Sequence, residues 1–326
     1  MAKSTGRTAA FGLAKESTRG TAEASADVWI PRLSVNLDDK TESINDESAL
    51  GVLEDSPSAD NVKTWAEMSL EGNVRDKSIG HFLLALFGGV ATDVDTPETD
   101  SNTHVFNLAQ SAQHQAFTLF SKDSVQSYKH ALGVLSSFGI NAEIGQYVKF
   151  NSAFMAKAGA TMADPSPSYV AENLFLPKNI TVKYATNQAG LDAGTEVKVQ
   201  KMSLNFEKDT EGDMALGDST PQDFLTKMFS CEGEIELLFD AETFKTQQLA
   251  NTKIALRLDI LNDTDDLGTS VFPQLTFDVY KAHISDFVRN YGNSDLVSAT
   301  ISFKALYSVA DAKMVTATLI NGQTSY

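Results

Sequence analysis

The chain has 326 residues with 26 basic and 43 acidic side chains, a formal charge of −17, and 42% hydrophobic residues. That length predicts two domains, and the apolar content supplies real cores and excludes wholesale disorder. The acidity excludes a firm grip on nucleic acid, which needs clustered lysine and arginine. The single cysteine, Cys231, excludes an internal disulfide or a cysteine-based zinc site.

The first twenty residues carry Lys3, Arg7, Lys15 and Arg19 with no apolar run behind them, which is not the pattern of a secretory signal. Apolar residues then alternate with polar ones over 28–37 and 62–74, the period of half-buried strands. Between these lies an acidic stretch, 38–61, which reads as a long functional connection. A helix is predicted over 76–87, with Ile79, Phe82, Leu83 and Leu86 on one apolar face that covers a sheet. Strands follow at 116–120, 128–138 and 147–155. The longest apolar run, 82–90, is far short of the roughly 20 residues that span a membrane. The expectation is a soluble protein made in a cytoplasm, with no membrane partner.

Ala163-Asp164-Pro165-Ser166-Pro167-Ser168 disfavours both helix and central strand and lies at the midpoint of the chain. Beyond it strands are predicted at 181–184, 197–206, 228–238, 253–261, 275–286 and 296–307. A helix is predicted at 240–250, and an edge strand or tail at 314–320. The two halves resemble each other. Leu33-Ser34-Val35-Asn36-Leu37 matches Met202-Ser203-Leu204-Asn205-Phe206, and Ala49-Leu50-Gly51 matches Ala215-Leu216-Gly217. Met68-Ser69-Leu70-Glu71-Gly72-Asn73-Val74 aligns without a gap on Phe229-Ser230-Cys231-Glu232-Gly233-Glu234-Ile235. Leu135-Ser136-Ser137-Phe138 matches Ile284-Ser285-Asp286-Phe287, and Val148, Phe154 and Ala156 fall on Val297, Phe303 and Ala305 at the same spacing. Each half holds 13 basic residues, with 21 acids in the first and 22 in the second, which agrees with a tandem duplication. The expected domains are 1–165, with the N-terminal arm, and 166–326.

No catalytic constellation emerges. His81, His104, His114, His130 and His283 form no metal-binding motif, and there is no phosphate loop or nucleophile elbow. Asp263-Thr264-Asp265-Asp266-Leu267-Gly268 superficially resembles a calcium loop. However, Leu267 stands where an oxygen ligand is needed and Gln274 where the bidentate glutamate belongs, so a solvated acidic turn is expected. Asp93-Val94-Asp95 lacks the glycine as well. Glu71 and Glu232 are duplicate-related acids, but each precedes a glycine near a strand end, with Glu234 and Glu236 close by. A solvent- or lumen-facing row is the better reading than a tuned hydrolytic pair. Trp29 and Trp65 are too few for a sugar-stacking surface. No enzyme activity and no cofactor are expected.

Gly12-Leu13-Ala14-Lys15-Glu16-Ser17-Thr18-Arg19-Gly20-Thr21 resembles the opening of the tail tube proteins of long-tailed bacteriophages. In that family a strand and an acidic stretch follow, as here, where the stretch runs through Glu47-Ser48-Ala49-Leu50-Gly51. Glu71-Gly72-Asn73 and the apolar helix ending Leu86-Phe87-Gly88 continue the resemblance, which reaches the second half through the duplication. The resemblance implies a mainly β fold of two tandem tail-tube-like sandwich or barrel domains, each with one flanking helix. It implies copies joined side by side around a lumen, in a virion tail. A doubled unit implies a homotrimeric, pseudo-sixfold ring that stacks head to tail and meets other tail proteins at the tube ends. DNA would pass without specific binding.

On that reading Glu67, Glu71, Glu232, Glu234 and Glu236 are candidate lumen residues, the alternative being that they face outer solvent. Asp38, Asp39, Glu42, Asp46, Glu47, Glu54, Asp55 and Asp60 are the candidate ring-stacking loop. The alternatives in function are a terminator or baseplate hub that forms one ring without stacking, or a tandem β-sandwich surface adhesin.

Overall fold

The computed structural model describes residues 5–94, 101–239, 241–268, 270–293 and 296–326. Lys3, Asp95 and position 240 of the second predicted helix lie outside the described residues. The alternating patterns become antiparallel strands. In the first half β1 (Ala10–Lys15), β2 (Val28–Trp29), β3 (Ser34–Asn45) and β4 (Ala59–Asn73) precede α1 (Ile79–Phe87). After it come β5 (Gly88–Val94), β6 (Asn102–Leu108), β7 (Phe117–Lys122), β8 (Ser127–Glu143), β9 (Lys149–Ala156) and β10 (Ala160–Met162). In the second half β11 (Ile180–Ala185), β12 (Thr195–Val197), β13 (Val199–Asp213) and β14 (Asp223–Leu238) precede α2 (Thr243–Leu249). Then follow β15 (Ile254–Leu261), β16 (Gln274–Asn290), β17 (Ser298–Ala305) and β18 (Val315–Asn321). The fold is mainly β with two α-helices, as the alternation predicts.

Eight strands make one long sheet in the order β3-β4-β9-β8-β13-β14-β17-β16, each pair antiparallel. β8 and β16 each serve two layers. Bulges at Leu135/Ser137 and Ile284/Asp286 bend them, as an extra residue on one side of a ladder does. Their N-terminal parts then enter other ladders: β2-β1-β7-β8-β10 in the first half, and β12-β11-β15-β16-β18 in the second. The 314–320 segment, expected at an edge or as a tail, is instead flanked on both sides, because β6 pairs with its free margin. The β5–β6 hairpin escaped the sequence pattern because the buried positions of β6 are polar: Asn102 and His104 alternate with half-buried residues and only Phe106 is buried and apolar.

The pairing scheme of the first half recurs in the second, down to its irregularities. Leu119↔His130 and Leu256↔Val279 each follow a bulge, as do Ser137↔Ala153 and Asp286↔Ser302. The hairpins slip at Glu42/Ser43 and at Asp209/Thr210. Between β8 and β16 the spacing is 149 (284 against 135), as the motif match indicates. For β3 and β13 it is 167 (209 against 42), and for β4 and β14 it is 165 (228 against 63). The motif matches there gave 169 and 161, so they are displaced by two and four residues. Even slips preserve the apolar alternation, and the pattern alone is blind to them.

Helix α1 was expected to present one apolar face; eight of its nine residues are buried, so it is a core helix. Phe82 meets Phe150, Phe138 and Phe154 at centroid distances of 4.8, 6.4 and 6.1 Å. The helix begins at Ile79 rather than 76 because the preceding residues serve the linker. The Asp76 carboxylate accepts from Asn173 N and Nδ2 (2.8 and 3.0 Å), and Glu172 accepts from Ser78 N. At the other end the orphan carbonyls find donors: Gly88 N for Leu84 O, Lys208 Nζ for Ala85 O (3.0 Å) and Ala109 N for Phe87 O (2.7 Å).

The opening motif is an anchor. Buried Glu16 accepts from Leu132 N (2.7 Å), Gly20 N (2.7 Å) and Thr118 Oγ1 (3.2 Å). Leu132 has a positive φ of 58°, which costs a non-glycine residue, and Gly20 takes its φ of 78° freely, so this carboxylate holds one strained turn and one glycine turn. Glu16→Ala leaves those donors buried and unpaired and is expected to cost about 3 kcal/mol. A urea midpoint unchanged within error would contradict the anchoring role.

Candidate functional site

Alternation along the long sheet sorts its side chains onto two faces. One face holds Met68, Leu70, Phe150, Phe154, Phe138, Ile140, Leu204, Phe206, Cys231, Ile235, Ile301 and Phe303, all buried. The other is polar, and one cross-strand row crosses it from edge to edge: Ser34, Glu71, Asn151, Gly139, Asn205, Glu232, Lys304 and His283. A second row brings Asn73, Lys149, Asn141, Ser203, Glu234, Ser302 and Asp286 into line. Glu236 sits between Lys201 and Thr300 in a third. Glu67, Glu71, Glu232 and Glu234 are exposed and Glu236 is half-exposed.

All five glutamates therefore share the polar face of one continuous sheet. Glu232 accepts from Lys304 Nζ at 2.9 Å. Glu71 and Glu232 lie four strand steps apart in one row, about 19 Å at about 4.8 Å per step. That is too far for a hydrolytic carboxylate pair, which works at about 5–9.5 Å. The glycines beside them face the core, where a Cβ would lie 2.6 Å from the Phe150 ring at Gly72 and 2.3 Å from the Phe303 ring at Gly233.

The acidic stretch is a projecting hairpin rather than a loop from 38 to 61. Asp38, Asp39 and Glu42 are on β3, Asp60 is on β4, and only Asp46, Glu47, Glu54 and Asp55 lie in the connection. Both faces of the hairpin's outer part meet solvent, so no apolar alternation marks it. The outer part of β13 and β14 is instead held against the first half: Phe224 is buried, Asp223 accepts from Arg19 Nε at 2.8 Å, and Ser219 O of their connection accepts from Thr64 N at 2.7 Å. The matching tripeptides sit in the two hairpin connections. Gly51 and Gly217 have φ of 77° and 98°, and Leu50 and Leu216 are exposed by 66% and 107%.

Asp263 accepts from Asn179 Nδ2 and Lys178 Nζ (2.6 and 3.3 Å). Among the described residues no group of three or more His, Cys, Asp or Glu is placed to hold a metal ion. Lys208 is buried, and desolvation with the nearby Arg19 charge pushes its amine down to about 7. A lysine so tuned can act as a base, but its Nζ is held by Ala85 O under cover of the core. Sequence reading missed Lys208, because a lone lysine in an alternating strand looks solvated.

Burial, with Lys208 and Arg19 nearby, also takes His114 down to about 4. As pH falls below about 6.5 the unfolded chain takes up this proton and the folded chain does not, so stability is lost between about 6.5 and 4. Asp76 and Glu172, raised by desolvation, act in the opposite direction over the acid range. The comparison is therefore with His114→Gln, which is expected to remove about 3 kcal/mol of the loss between pH 7 and 4. Parallel stability–pH curves for the two proteins would contradict the assignment.

A family model described as phage tail tube protein matches residues 6–305. The chain belongs to that family: it is a structural tail tube protein, located in the virion tail. No individual curated protein matches it significantly. No helix among the described residues is long and apolar enough to cross a membrane.

Proposed function

We propose that the chain is the major tail tube subunit, two tube units at 1–165 and 166–326, three copies of which form a pseudo-sixfold ring. Rings stack head to tail into the channel through which DNA leaves, and other tail proteins cap the ends. The observation that carries this reading is the eight-strand sheet, whose first and second four strands follow one pairing scheme and whose two margins are unpaired among the described residues. A sheet with unpaired margins recruits further strands, and closing it into a barrel abolishes them.

The polar face then lines the lumen. Glu67, Glu71, Glu232, Glu234 and Glu236 give it a negative bias, so DNA phosphates release no counterions there and do not stick. Salt limits the repulsion to about 8 Å, which confines it to the wall. The β3–β4 hairpin that carries Asp38, Asp39, Glu42, Asp46, Glu47, Glu54, Asp55 and Asp60 reaches the next ring together with the β13–β14 connection, their exposed Leu50 and Leu216 entering that contact.

Glu71→Lys with Glu234→Lys tests the lumen directly. The facing partners are the neutral Ser34, Asn151, Ser203 and Ser302, so tubes should still assemble. Particles carrying the double variant are expected to attach normally and deliver their genomes poorly. Normal delivery would move this face to the outside. Light scattering should count three chains per ring, and six would refute the doubled-unit ring.

A further inference from the structure

The two open margins of the long sheet differ in character from the seam inside it. Within the chain, β8 and β13 join the halves through Phe138↔Phe206, Ile140↔Leu204 and Ala142↔Met202 on the core face. Met202, Leu204 and Phe206 are buried. On β3 the counterparts, at the spacing of 167, are Val35, Leu37 and Asp39. They are at most half-buried and line an open groove with Phe11, Arg32 and His130. Asp39 lies 3.3 Å from His130 Nε2 and accepts from Gly159 N at 3.0 Å. On β16 the counterparts of Phe138 and Ile140, at the spacing of 149, are Phe287 and Arg289. The groove is thus uncovered where its equivalent is covered by the other half.

We infer that neighbouring copies join in a single register, with Asp286 of one copy facing Lys40 of the next. Transferring the β8–β13 register to β16 and β3 places Ser137↔Glu207 onto Asp286↔Lys40, and Asn141↔Ser203 onto Asn290↔Asn36. On the core face Phe287 then meets Asp39 and Arg289 meets Leu37, with Arg289 diagonal to Asp39.

The charges select this register independently of the transfer. A slip of two residues sets Asp286 against Asp38 one way and against Glu42 the other, and like charges directly opposite destabilise a ladder. A slip of one residue sets Val35 and Leu37, held on the core face by their pairing with Leu70 and Met68, against polar-face residues of β16. The seam between copies is thereby a charged version of the apolar seam within the chain. A margin exposed before assembly stays soluble when it carries charge, whereas the inner seam forms as the chain folds. This inference rests on the ring reading above.

The test is cross-linking by engineered cysteines, since the native Cys231 is buried. Asn36 and Asn290 are exposed and lie on opposite margins, seven strand steps or about 33 Å apart along the sheet, so one chain cannot link to itself. Asn36→Cys with Asn290→Cys, mildly oxidised as assembled rings or tubes, should give covalent dimers and trimers on a denaturing gel. Asn36→Cys with Val288→Cys, the slipped register, should give few. In parallel, Asp286→Lys should raise the concentration for half-assembly about fivefold, and adding Lys40→Asp should restore it.

Rings that cross-link better through 288, or a charge swap without recovery, would overturn the register and leave the tube reading standing. Failure of the unmodified chain to form any ring would overturn both.

Discussion

Leu50→Asp combined with Leu216→Asp is expected to leave rings intact and abolish tubes. Both leucines are exposed in the single chain, beside glycines whose positive φ turns the backbone. An exposed leucine on each of two hairpins is unexplained by the fold of one chain, since neither touches its core. If each is covered on stacking it contributes about 2 kcal/mol, and two per chain in a ring of three copies multiply that at every interface. Head-to-tail contacts that do not close propagate as a filament, so weakening them shortens tubes without touching lateral closure. Electron micrographs of the double variant should show single rings. Long tubes would remove these leucines from the stacking contact.

Phe206→Ala is expected to cost about 3–5 kcal/mol, the ordinary range for emptying a phenylalanine site. Phe206 is 1% exposed and sits at the meeting point of both halves. Its ring centroid is 6.0 Å from Phe87 of α1, 6.4 Å from Phe138, 5.9 Å from Phe229 and 5.8 Å from Phe277. Truncation opens a cavity shared by the core helix, the inner seam and the second layer. Denaturant unfolding followed by circular dichroism should show a lower midpoint. A loss below about 1 kcal/mol would mean that the halves do not depend on this cluster.

Much of this fold is legible in the alternation of apolar residues, because a sheet with one wet face prints its geometry on the sequence. Met68 and Leu70 against Glu67 and Glu71 show it, and so do Cys231 and Ile235 against Glu232 and Glu234. That rule sets Glu67 and Glu71 on one face of their strand and Glu232, Glu234 and Glu236 on one face of theirs, while the joining of both strands in one continuous sheet is visible only in the coordinates. What escaped were elements whose buried positions are polar or whose two faces are alike. Asn102 and His104 hid β6, and the doubly exposed outer part of β3 hid a hairpin inside an apparent loop. The register between the halves was also beyond reach, since an even slip leaves the pattern unchanged and only the bulges fix it. Glu16 stood in the recognisable motif, but its role as the clamp on Leu132 and Gly20 needs coordinates.

In the proposed ring the sheet margins are satisfied only by other copies of the chain. Electron microscopy of the purified protein, taken to high concentration, tests that most directly. Hollow filaments, or rings with a central hole, are the expected result. A protein that stays monomeric at every concentration would contradict it.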